Sequence, residues 1–101
     1  MCGLLARDWE FIQKSLSKFP EIERAILFGS RAMGNYKRGS DVDLAIVGEK
    51  VTHKTLVELN EWLNEIFPLP YVFDILHYQT ILNQELQKHI DTHGKLIYQN
   101  Q

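Results

Sequence analysis

Two carboxylates, Asp41 and Asp43, stand two residues apart in the run Ser40-Asp41-Val42-Asp43-Leu44. If that run is extended, both side chains leave the same side of the strand, because strand side chains alternate with period two. Two hard anionic oxygen ligands side by side suit Mg²⁺ better than zinc or copper. Upstream, with ten residues between it and Asp41, the chain reads Phe28-Gly29-Ser30, a glycine–serine turn entered from an apolar run. Backbone N–H groups at such a turn form a cradle for phosphate. Arg31, Lys37 and Arg38 add positive charge between the two halves. A magnesium site facing a phosphate cradle is the equipment of phosphoryl or nucleotidyl transfer.

A third acid is expected because transfer of this kind uses two ions about 3.5–4 Å apart, more than one carboxylate pair holds. Asp74 is the candidate: it interrupts the apolar run Tyr71-Val72-Phe73-Asp74-Ile75-Leu76. In a buried strand an unpaired charge would cost several kcal/mol, and a metal cluster would account for it. The bland alternatives are an arginine partner or an edge strand. In the metal reading, Asp41 and Asp43 ligate both ions, and Asp74 completes the catalytic ion and accepts the nucleophile's proton. Gly29 lets the backbone approach the phosphates, Ser30 donates its hydroxyl and N–H, and Arg31 pairs with phosphate oxygens. Lys37 and Arg38 are weaker candidates, since loop cations are usually solvated.

These residues resemble the GS-x10-D-x-D signature of the nucleotidyltransferase superfamily that includes DNA polymerase beta. The compact Gly29-Ser30-Arg31-Ala32 form is most similar to its minimal branch, the MNT proteins encoded beside a HEPN partner. The resemblance spans about Glu21 to Tyr98 and departs at Met33, where many members carry a second arginine, which bears on how tightly the triphosphate is held. It implies the α/β, polymerase-beta-like palm, a small mixed sheet with helices packed on it, and places the third acid on the strand where Asp74 falls. It also implies AMP moved from ATP onto a hydroxyl of a helical HEPN-type partner, with Mg²⁺ or Mn²⁺, in a toxin–antitoxin pair that forms a homodimer or hetero-oligomer. The rivals are a non-catalytic module that masks the toxin or senses nucleotide, and transfer to a small molecule.

The elements that must position these groups are legible as periodicities. Leu5, Trp9, Ile12, Leu16 and Phe19 form one stripe of a helix over 5–19, which Pro20 ends. Ala25–Phe28 and Asp41–Val47 read as strands, joined by a loop over Arg31–Ser40. Thr52 caps a helix carrying Leu56, Leu59, Leu63 and Ile66, which Pro68 and Pro70 stop. A third strand over Tyr71–Leu76 follows, then a helix over Asn83–His93 with Leu82, Leu86 and Ile90 inward and Gly94 as a left-handed cap. Lys95–Tyr98 makes an edge strand.

Composition bounds the rest. The 101 residues make one domain, 1–101, with 45% hydrophobic and 24% charged residues, ordinary globular values. A formal charge of -2 argues against general nucleic-acid binding through a global basic field. The single cysteine, Cys2, excludes an intrachain disulfide and a cysteine zinc site. No apolar run approaches a membrane span and no secretory leader is apparent, so a cytoplasmic setting is expected. His89 and His93 lie four apart on the last helix, but a metal role is disfavoured because no glutamate adjoins His89. His53 and His77 are isolated. Trp9, Trp62 and Phe67 read as core or partner-facing anchors. A palm of this size leaves little surface for an acceptor, so a second chain is expected to complete that site.

Overall fold

The structure, a computed structural model, describes residues 3–35, 41–66 and 71–100. Lys37 and Arg38, with the rest of 36–40, lie outside the described residues, as do Cys2, Phe67 and the prolines at 68 and 70.

Strands β1 (Arg24–Phe28), β2 (Val42–Val47), β3 (Phe73–His77) and β4 (Lys95–Gln99) form one sheet in the order β3-β2-β1-β4. β1 runs antiparallel to β2 and β4, whereas β2 and β3 are parallel, so the sheet is mixed. The parallel pair requires a crossover, supplied by helix α3 (His53–Glu61) and the π-helical turn Trp62–Ile66 that continues it. Helix α1 (Ala6–Ser17) precedes the sheet, a four-residue helix α2 (Ser30–Met33) follows β1, and α4 (Gln84–His93) joins β3 to β4.

Alternation along the strands divides the core in two. On one face Leu27, Val42, Leu44, Ile46 and Phe73 pack with Phe11, Ile12 and Leu16 of α1 and with Leu59 and Leu63 of the crossover. On the other face Phe28 and Ala45 pack with Ile90 of α4, joined by Ile26, Leu76 and Leu86. Asp43 precedes Ala45 by two residues and Asp74 precedes Leu76 by two, so both acids belong to the α4 face.

Local chemistry explains the helix starts. The Asp8 carboxylate, buried in the first turn of α1, accepts the Leu5 N–H at 3.0 Å. Thr52 caps α3 as expected, accepting from the Thr55 N–H at 3.3 Å while its own N–H donates to Thr55 Oγ1 at 3.2 Å. Asn83 caps α4 by accepting from the N–H groups of Glu85 and Leu86.

Two expectations are corrected. Leu82 does not face inward; it precedes the Asn83 cap, where the helical period no longer applies, and is 97% exposed. Gly94 is not a left-handed cap: its φ of -64° and ψ of 149° are extended. Its lack of a side chain serves close approach, since a Cβ there would collide with the Ile90 carbonyl oxygen and the Ile26 side chain. Among the described residues no helix is long and apolar enough to cross a membrane.

Candidate active site

β1 delivers the chain into the glycine–serine turn, and β2 leaves from Asp41 beside it. Asp43 is the register partner of Phe28 on one side and of Asp74 on the other. Asp41 stands one residue outside β2 and is exposed. Burial raises the Asp43 carboxyl above its ordinary value, and the charges of Asp74 and Asp41 raise it further. Among the described residues no three His, Cys, Asp or Glu side chains already converge on one point as a ready-made metal cage. The donor set nevertheless suits a hard cation, being entirely carboxylate.

Asp74 differs from its sequence reading in one respect. It is exposed, on edge strand β3, so no burial cost has to be relieved there. Its position is that of a solvated edge-strand acid rather than a buried charge in want of a partner. What associates Asp74 with the site is its register with Asp43.

Gly29 has a φ of +76°, a region that favours glycine. A Cβ at this position would collide with Asp43 Oδ2. Glycine is thus required twice, by its backbone angle and by the packing of the turn against the carboxylate. Ser30 follows, half-buried, as the first residue of α2.

Arg31 is not a solvated loop arginine. It is 3% exposed, with its guanidinium carbon 5.1 Å from the centre of the Tyr71 ring. The Tyr71 hydroxyl in turn donates to Asp8 Oδ2 at 3.0 Å. Burial, foremost, and the hydrogen bond to Asp8 raise the Tyr71 phenol above its ordinary value. A column from α1 through Tyr71 to Arg31 therefore underpins the turn. Met33, at the position of the family's second arginine, is exposed.

Two participants escaped the sequence reading. The Asn64 side chain, in the π-helical turn, accepts the Phe73 N–H at 2.8 Å and donates to the Phe73 carbonyl at 3.0 Å. It takes the place of a neighbouring strand at the outer edge of β3, immediately before Asp74. A π-helical turn in a helix often marks a functional region, but its position is not written in apolar spacing. The second is His89, whose Nε2 accepts the Gly29 N–H at 3.0 Å. His89 also lines a shallow cleft of about 270 Å³ with Glu85, Lys88, Thr92 and His93. His93 lies 5.4 Å from it, ring centre to ring centre. His77 is elsewhere, its Nε2 2.9 Å from the Gly48 carbonyl oxygen. Trp9, Trp62 and Tyr98 are partly buried against the core, and Lys18 lies over the Trp62 ring.

Residues 10–101 match the family described as polymerase beta, nucleotidyltransferase. Among solved structures the chain is similar to one of a toxin–antitoxin with AMP-PNP, at a TM-score of 0.74 and 25% identity over 92% of this chain and 74% of that chain. It is similar to one of the toxin–antitoxin MntA-HepT, at a TM-score of 0.70 and 20% identity over 95% of this chain and 74% of that one. A Sulfolobus solfataricus protein described as a nucleotidyltransferase matches at a TM-score of 0.56 and 21% identity, over 91% of this chain and 77% of that one. Likeness at these last two identities concerns the fold alone. No curated protein sequence matches.

Proposed function

The chain belongs to the polymerase beta nucleotidyltransferase family, and from that membership we propose that it moves AMP from ATP onto a hydroxyl of a helical, HEPN-type partner protein. In this reading it is the neutralising half of a toxin–antitoxin pair. The observation that carries the reading is the register of Asp43 with Asp74, with Gly29 packed against Asp43. The likeness to a toxin–antitoxin solved with AMP-PNP supports both the nucleotide and the setting.

Asp41, Asp43 and Asp74 would hold the divalent cations, Mg²⁺ or Mn²⁺. The chemistry these supply is neutralisation of phosphate charge and a lower pKa for the attacking hydroxyl. The chain's own residues do the rest. Asp43 is raised by burial and by its acidic neighbours, a cost that a bound cation would relieve. Ser30 offers its hydroxyl and N–H to the β- or γ-phosphate. Arg31 would reach a phosphate by turning its guanidinium out from Tyr71, and otherwise supports the turn from behind. Asp74, exposed at the edge of the sheet, would accept the proton of an incoming hydroxyl. In the transfer, the bond from the acceptor oxygen to the α-phosphorus forms and the α–β phosphoanhydride bond breaks. Pyrophosphate leaves with the electron pair.

The competing reading is a masking module that binds the toxin without chemistry. Incubating the chain with its HEPN-type partner, ATP and Mg²⁺, followed by mass spectrometry, separates the two. Added mass in units of AMP on a Tyr, Ser or Thr of the partner supports transfer. A partner that is bound and silenced but unmodified establishes masking.

A further inference from the structure

Gly29 is held from two sides. Asp43 Oδ2 lies where a side chain would begin, and His89 Nε2 accepts its N–H. His89 belongs to α4, sixty residues further along the chain. Its ring is fixed by more than this bond: it meets the Phe28 ring edge-on, with centres 6.2 Å apart and planes at 75°. Phe28 is also the register partner of Asp43. One imidazole therefore touches the last residue of β1 and the first residue of the turn, while Asp43 backs both.

Hydrogen bonding assigns the ring's state. A nitrogen that accepts carries no proton, so the neutral ring has its proton on Nδ1. A Gly29 N–H engaged with His89 is also removed from the donors that could meet a phosphate.

We propose that His89 is a positioning residue of the glycine–serine turn. Its Nε2 keeps the Gly29 peptide seated against Asp43 and leaves the Ser30 N–H and hydroxyl as the turn's phosphate donors. The phosphate role rests on the function proposed above; the seating of Gly29 does not.

A crossed pair of substitutions tests it. His89→Phe keeps an aromatic ring beside Phe28 but has no acceptor. His89→Gln loses the ring but places an amide oxygen within reach of where Nε2 lies. Amide hydrogen exchange at Gly29 and calorimetry with MgATP are read for both. The Phe variant should lose Gly29 protection and bind MgATP about tenfold more weakly, the effect of one hydrogen bond. The Gln variant should keep Gly29 protection and stay near wild-type affinity. The reverse pattern, or two variants that match wild type, overturns the proposal by reducing His89 to packing.

Nitrogen NMR of the wild-type ring at neutral pH decides the matter even if a variant fails to fold. An unprotonated, hydrogen-bonded Nε2 is expected, and a proton on Nε2 overturns the assignment. If wild type binds no MgATP at all, the nucleotidyl-transfer reading fails, while Gly29 exchange and the ring spectrum still decide His89.

Discussion

Asp43 and Asp74 are direct neighbours across the parallel strands β2 and β3, paired in register on the sheet face that α4 partly covers. Two like charges placed opposite one another weaken a sheet. Such an arrangement is unfavourable to the isolated chain and favourable to a chain that binds cations.

Asp43→Asn should lower AMP transfer by on the order of a thousandfold while leaving the fold intact. The same change should raise the melting temperature of the metal-free protein at neutral pH. The sign follows from the raised Asp43 carboxyl, caused by burial first and then by Asp74 and Asp41. A raised acid stabilises the fold below its ordinary range, and that contribution is lost as pH rises through the raised value. Wild type and variant should therefore converge in acid and separate towards neutrality in thermal melts with chelator. Equal melting temperatures at neutral pH would contradict the repulsion.

Gly29→Ala should destabilise by about 1–3 kcal/mol, from the positive backbone angle and the collision with Asp43 Oδ2. Denaturant melts measure it. Gly34 shares the positive φ, at +80°, but a Cβ there meets nothing within 4 Å. Gly34→Ala should therefore be the milder change, and an equal cost for both would remove the packing component.

Ser30→Ala and Arg31→Ala should part company. The serine substitution is expected to weaken MgATP binding several-fold with little change in stability, since it removes one phosphate donor. The arginine substitution should cost about 1–3 kcal/mol of folding stability, because the guanidinium is buried over Tyr71. Calorimetry and thermal melts on each variant give both coordinates.

Asn64→Leu should cost about 1–3 kcal/mol by leaving both Phe73 backbone groups without their side-chain partner. Backbone amide exchange should rise at Phe73 in particular. Transfer should fall further than stability alone explains, because Asp74 is the next residue on that strand.

The sheet and its succession of strands are legible because each depends on local rules. Apolar runs bounded by Gly, Pro or charge mark β1 and β2, and the Thr52 cap announces α3. The family relation inferred from Gly29-Ser30 and Asp41-Val42-Asp43 is shown by the match over residues 10–101. What was not legible depends on contacts distant in sequence. His89 resembles any histidine of an exposed last turn until α4 is laid beside β1. Asn64 is a polar residue at a helix end until β3 arrives. Arg31 reads as a loop cation because its burial depends on Tyr71, forty residues later. Asp74 was selected through a burial that edge strand β3 does not impose.

The position of β4 beside β1 has a kinetic consequence. Strands β1 and β2 form an antiparallel pair close in sequence, but the other edge of β1 is closed only by residues 95–99. Contacts of such long separation close late, because the entropy of a large loop precedes any gain from them. During synthesis, Asp43 of β2 should thus be in place while β1 still presents a bare edge, and α4 with His89 docks only with β4. The glycine–serine turn is then among the last parts of the domain to reach its final shape.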